Sequence, residues 1–299
     1  MAFGGPSRYT VPVMAFSFTK LHGCGNDYLF VDCTHGSSLP GSSEIQAITR
    51  YVSDRRTGVG SDGVILVCPD RLCDFRMEMY NADGSRGNMC GNGIRSLGKY
   101  VYDHGLTGSR HLKIATDSGV KTLDLEVANG KVHRVRVEMG KAILDGRQIP
   151  VDADGRVVDR QLVVAGRAWN VTCVSMGNPH CVTFDEDPDG LDLERIGPGF
   201  EHHQFFPQRV NTEFVRVGSR TDLTMRVWER GSGETFACGT GACAVLVAAV
   251  LTDRADRKAV VHLRGGDLEI EYRADETVVM TGPTVEVFSA TVDIPGHPV

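Results

Sequence analysis

A chain of 299 residues with a formal net charge of −6 and 41% hydrophobic residues has the composition of a folded globular protein, long enough for two cores of ordinary size. The acidic balance, with no basic run, argues against nucleic acid as a partner, and the longest apolar run, Ala242 to Leu251, is far short of the ~20 residues that cross a bilayer. Nine cysteines without a Cys-x-x-Cys pair do not read as a secreted disulfide framework, so free thiols in a reducing cytoplasm are expected, with no metal site.

The first residues, Met1 to Arg8, lack a charged segment followed by an apolar one, so no signal peptide is expected. Residues 1–14 read as a disordered extension. Period-two alternation then predicts a strand from Ala15 to Leu21 and a second over Tyr28 to Asp32. Ser43-x-x-Gln46 matches a capping box and predicts a helix from Glu44 to Arg55, with Ile45, Ile48 and Val52 on one face. Strands follow at Val64, Phe75, His111, Lys121 and Val132, and between them Gly91 to His104 predicts a helix stopped by Gly105. The second half repeats the style, with strands starting at Trp169, Leu223, Val260, Leu268 and Val278 and a last one from Thr284 to Ile294. Its helix, Gly241 to Leu251, is apolar all round and must therefore be enclosed on every side. In a strand-rich chain this predicts α+β architecture: two pseudo-symmetric domains, each a curved, nearly closed sheet around a central helix.

Both central helices follow the same short pattern. Cys90-Gly91-Asn92-Gly93 and Cys238-Gly239-Thr240-Gly241 stand 148 residues apart, one per expected domain, which points to a site in the cleft between them. A helix N-terminus favours a thiolate, so both thiols are expected below the ordinary ~8.5. One thiolate and one thiol on opposite faces of a carbon could remove a proton and return another, inverting a stereocentre. The glycines would let backbone N–H groups approach a carboxylate closely. A single Cys-Gly at a helix start would read as packing; two in matching loops read as function. The other seven cysteines read as core residues, and Cys243, five residues past Cys238, points about 140° away around the helix.

Asn81-Ala-Asp-Gly-Ser-Arg-Gly-Asn-Met-Cys90-Gly-Asn-Gly-Ile-Arg resembles the first signature of the diaminopimelate epimerases, two-cysteine enzymes that need no cofactor. His22-Gly-Cys-Gly-Asn-Asp-Tyr28, Gly177-Asn-Pro-His-Cys181, Arg209-Val-Asn-Thr-Glu213 and Glu229-Arg-Gly-Ser-Gly-Glu-Thr-Phe-Ala-Cys238 follow in that family's order. The resemblance implies epimerisation of LL- to meso-diaminopimelate, for lysine and peptidoglycan synthesis, with Cys90 and Cys238 as acid and base. It implies that Gly91, Asn92, Gly239 and Thr240 hold the reacting carboxylate and that Asn26 supports substrate. Asn81, Asn178, Asn211 and Arg230 would hold the distal carboxylate and Glu229 the distal ammonium, while His180 and Glu229 would tune the thiols. It further implies a homodimer and a discontinuous first domain (15–133 plus 284–299) around a second (134–283). The loop Gly58 to Gly63 departs from the family, which often carries glutamine where Gly63 stands. Two alternatives are a proline or hydroxyproline racemase, whose signatures usually place histidine where Asn92 stands, and a thiol redox switch working through the same cysteines.

Overall fold

The computed structural model describes residues 13–35 and 41–295. The first half supplies β1 (Val13–Gly23), β2 (Asn26–Asp32), α1 (Ser42–Ser53), β3 (Gly63–Cys68), β4 (Phe75–Asn81), β5 (Arg86–Gly87), α2 (Gly91–Asp103), β6 (His111–Thr116), β7 (Gly119–Ala128) and β8 (Lys131–Lys141). The second supplies β9 (Arg160–Val164), β10 (Arg167–Ser175), β11 (Pro179–Thr183), α3 (Leu193–Glu201), β12 (Asn211–Ser219), β13 (Asp222–Glu229), β14 (Gly233–Thr235), α4 (Gly239–Leu251), β15 (Lys258–Leu263), β16 (Gly266–Tyr272), β17 (Thr277–Pro283) and β18 (Val285–Pro295). Most of the 1–14 extension lies outside the described residues, and its last two residues are in β1, Val13 opposite Pro295 and Met14 opposite Ile294.

The halves share one topology. In the first, β2 runs parallel to β3 across α1 and β4 parallel to β6 across α2. In the second, β11 runs parallel to β12 across α3 and β13 parallel to β15 across α4. The remaining neighbours are antiparallel. Each half of the continuous 18-stranded sheet is therefore built from two β-helix-β crossovers and covered on both faces. α2 and α4 lie inside, in a core that runs through both halves and includes Leu97, Val101, Leu123, Leu246, Ile270 and Met280. α1 lies outside against Leu29, Val64 and Leu66, and α3 lies outside against Trp169, Phe214 and Trp228.

Two strands join the halves. β8 pairs with β7 on one side and β17 on the other, and β18 returns to pair with β1. A further junction is local: the β1–β2 turn at Cys24 sits so close to the β15–β16 turn that a Cβ on Gly265 would lie 1.8 Å from Cys24 O. Only glycine fits there.

The structure corrects one reading and adds one helix. The helix expected from Glu44 begins at Ser42, capped by Gly41 without a side-chain bond. Ser43 is thus inside the first turn, where its hydroxyl cannot cap it. α3 is an element the periodicity did not predict; Gly197 and Pro198, both poor helix formers, lie within it. It starts where Asp192 accepts the N–H of Arg195, and Gly197 is required because a Cβ would lie 2.2 Å from the Trp228 ring.

Candidate active site

Cys90 and Cys238 hold the same position in the two halves. Each is the N-cap of an inner helix, with extended backbone (φ −123°, ψ 123° and φ −122°, ψ 108°). Each sulfur takes the role usually given to a serine or aspartate oxygen, accepting the N–H of Gly93 at 3.3 Å and of Gly241 at 3.4 Å. The two helix N-termini meet. A Cβ on Gly239 would lie 3.6 Å from Gly91 Cα and 3.5 Å from Asn92 Oδ1. Among the described residues, the N–H groups of Gly91, Gly239 and Thr240 have no acceptor. Two positive dipole ends and their free donors thus converge on one point, an arrangement suited to a carboxylate.

Around Cys90, the thiol donates to Asn26 Oδ1 at 3.1 Å, and Asn26 Nδ2 donates to Asp62 Oδ2 at 2.6 Å. The Tyr28 hydroxyl stands beside this sulfur and favours its thiolate. Around Cys238, Thr240 Oγ1 lies 3.5 Å from the sulfur. Parallel pairing sets His180 beside Asn211, and Glu213, two residues on, shares Asn211's face. His180 Nδ1 then meets Glu213 Oε1 at 2.7 Å, both side chains fully buried, while His180 Nε2 meets Asn178 Oδ1 at 3.1 Å. Glu213 Oε2 has no partner among the described residues. Donor atoms of His180, Glu213 and Cys238 all lie within 4.8 Å of one another. The His180–Glu213 contact at 2.7 Å is hydrogen-bond geometry, shorter than the ~3.3 Å edge that two ligands of a tetrahedral zinc ion would span.

Burial reverses the expected sign at both thiols. Loss of water raises Cys90 above the ordinary thiol value, more than the N–H of Gly93 and the Tyr28 bond lower it. Cys238 is raised well above that value by burial and then by the charges of Glu229 and Glu213. The helix N-termini act as anticipated, but a group removed from water loses more than two N–H dipoles return. Glu229 is itself raised by burial and hydrogen-bonds Thr235. It stands close enough to raise both thiols.

The other expected residues divide into two groups. Asn211 ties the cluster together, donating to Pro179 O at 2.9 Å and accepting the Arg230 N–H at 2.9 Å. Arg230 is exposed, donates to Gln208 O at 3.0 Å and pairs with no carboxylate among the described residues. Among the described residues the Asn81 side chain has no hydrogen bond to either cysteine; it donates to Ser85 at 3.0 Å, and Ala82 N next to it donates to Asp62 O at 2.9 Å. At Gly63 a Cβ would lie 2.0 Å from Tyr80 O, so no larger residue fits there. Four residues around the cysteines escaped the sequence reading: Glu213, Tyr28, Asp62 and Arg95. Glu213, Tyr28 and Arg95 stand inside the motifs quoted above, and alternation with Asn211 is the signal that could have found Glu213.

The diaminopimelate epimerase family model matches residues 18–144 and 172–287. The chain is 51% identical to the diaminopimelate epimerase of Agathobacter rectalis over 286 residues, covering 93% of this chain and 99% of that one. It is 50% identical to that of Acetivibrio thermocellus over 279 residues, covering 93% and 98%. Among solved structures, a hydroxyproline epimerase from Agrobacterium vitis with bound trans-4-hydroxy-L-proline shares the fold at a TM-score of 0.67 and 12% identity, covering 94% of this chain and 92% of that one.

Proposed function

The chain belongs to the diaminopimelate epimerase family, and on that premise we propose that it interconverts LL- and meso-diaminopimelate by a two-base reaction between Cys90 and Cys238, without a cofactor. One observation carries the assignment. Two N-cap cysteines, one from each half, flank the place where two helix N-termini meet so closely that a Cβ on Gly239 would stand 3.6 Å from Gly91 Cα. In one direction a thiolate takes the α-proton, breaking C–H and forming S–H, while the opposite thiol donates its proton to the other face. The negative charge that develops on the α-carboxylate is met by the N–H groups of Gly91, Asn92, Gly239 and Thr240. Each turnover leaves the cysteines with exchanged protonation, ready for the reverse direction.

Because burial disfavours a lone thiolate here, the substrate's ammonium supplies the counter-charge that stabilises it, and closure of the cleft excludes water from the carbanion. The distal end is gripped by Arg230, whose guanidinium has no carboxylate partner among the described residues and suits one from the substrate, with Asn81, Asn178 and Asn211, and by Glu229 at the ammonium. Asn26 supports substrate from the Cys90 side. His180 and Glu229 set how readily Cys238 ionises. The hinge falls near residues 133 and 283, where β8 and the β17–β18 junction pass between domains. The exposed Val285, Val287 and Phe288 on β18 support a homodimer, and nine free thiols support a cytoplasmic location.

Serine in place of either cysteine tests the assignment. Cys90→Ser and Cys238→Ser each lower turnover by about 10²–10⁴-fold or more with an unchanged melting temperature, measured by chromatographic separation of the LL and meso isomers. Activity within ten-fold of the parent in either variant would refute the pairing. The same assay with L-proline should give no racemisation.

A further inference from the structure

Arg95 is the largest fully buried side chain among the described residues, 0% exposed, and it has no carboxylate partner among them. A guanidinium removed from water without a counter-ion is costly, so its place needs a reason other than stability. All its bonds go to neutral groups. Nη1 donates to Gly91 O at 3.0 Å, Nη2 to Asn92 Oδ1 at 2.9 Å, and Nε to Pro283 O at 3.4 Å. Cys24 Sγ and Met280 Sδ lie at 3.8 and 3.5 Å. The chain makes room for it on two sides: a Cβ on Gly23 would stand 2.8 Å from Nη2, and one on Gly282 3.1 Å from Nε. The charge therefore sits at the seam between the domains, beneath the N-terminus of α2.

Its bond to Asn92 has a consequence for both cysteines. An amide whose oxygen accepts from a guanidinium must present its nitrogen the other way. Asn92 Nδ2 accordingly lies 3.4 Å from Asn26 Oδ1, the acceptor of the Cys90 thiol, and 3.4 Å from the carbonyl of Ala237, the residue before Cys238. The bond to Gly91 O also polarises the Gly91–Asn92 peptide, whose N–H faces the site.

We propose that Arg95 is a positioning residue of the epimerase reaction: through Asn92 it holds the two cysteine loops in register, and its buried charge favours the thiolate at Cys90. The inference rests on the two-base reading above. The groups facing Cys90 from the elements around it are Tyr28, Glu229 and Asn26; those facing Arg95 are Cys24, Cys90 and Cys243. Only Arg95 among them carries positive charge.

Arg95→Met, Arg95→Lys and Asn92→Asp separate the two roles. Arg95→Met should lower kcat about 10- to 100-fold with little change in KM, and should move the pH limb of Cys90 alkylation by iodoacetamide upward while Cys238 moves less. Arg95→Lys keeps the charge but cannot make the paired bonds, so the Cys90 limb stays while kcat falls. Asn92→Asp satisfies the guanidinium but removes the donor to Asn26 and Ala237, and kcat falls again. Guanidinium ion should partly restore Arg95→Met. A folded Arg95→Met with parental kcat and an unshifted Cys90 limb overturns the proposal. If it does not fold, parental kcat in both Arg95→Lys and Asn92→Asp overturns it equally. The alkylation arm needs no substrate, so failure of the wild type to epimerise diaminopimelate is a separate result from failure of this proposal.

Discussion

Cysteine as a helix N-cap is the residue-level device on which the site depends, and it ties protonation to helix geometry. Each thiol takes an N–H bond from its own helix, Cys238 buried and Cys90 partly so, and loss of water is the larger effect at both. The sign follows directly. A thiol whose folded value lies above its unfolded one keeps its proton as pH rises, so the folded state loses stability only above about pH 8.5, where the unfolded chain ionises. Reactivity has the same limb. Alkylation of Cys90 and Cys238 by iodoacetamide, followed by mass spectrometry across pH, should rise above ~8.5 in the free protein, with Cys238 the later of the two. A limb below neutral pH at either residue would contradict the account. Glycine at 241 belongs to the same scale: a Cβ there would lie 2.6 Å from Glu213 Oε1 and 3.2 Å from Cys238 Sγ.

At the scale of elements, the two inner helices show what a hydrophobic pattern conveys. α4 is apolar on all sides, and its enclosure was legible because no other environment tolerates it. α2 is enclosed just as fully from Gly91 to Val101, yet its sequence reads as amphipathic. Its polar residues are satisfied internally: Lys99 on Asp103 and Val132 O at 2.6 and 2.7 Å, Ser96 with Thr284 at 2.9 Å. Nothing in periodicity separates a solvated arginine from one caged by Gly23 and Gly282, which is why Arg95 was hidden. Long-range partners, not local pattern, decide it. Enclosure of α4 carries a measurable cost. Leu246→Ala, at a fully buried position, should destabilise by about 3 kcal/mol, while Leu72→Ala, 93% exposed, should change stability by less than about 0.5 kcal/mol, both by denaturant melts. Equal effects would mean that α4 is not the core of its half.

At the scale of the molecule, the fold is one crossover pattern used twice and joined by β8 and β18. The paired Cys-Gly-x-Gly motifs made this duplication visible in the sequence, and with it the two N-cap cysteines proposed as acid and base. The signs of their thiol shifts were not visible, because burial is set by β-strands far away in the chain. Nor was the His180–Glu213 contact, which depends on the register of β11 against β12. The duplication suits the proposed chemistry, in which two equivalent helix ends would offer equivalent groups to opposite faces of one carbon. The direct test is isotopic. LL-diaminopimelate turned over in deuterated water and stopped early should give meso product carrying α-deuterium while the unreacted LL isomer keeps its α-proton, because each face has its own base. Deuterium appearing equally in recovered LL substrate would mean one base serving both faces, and the opposed cysteines would not be the catalytic pair.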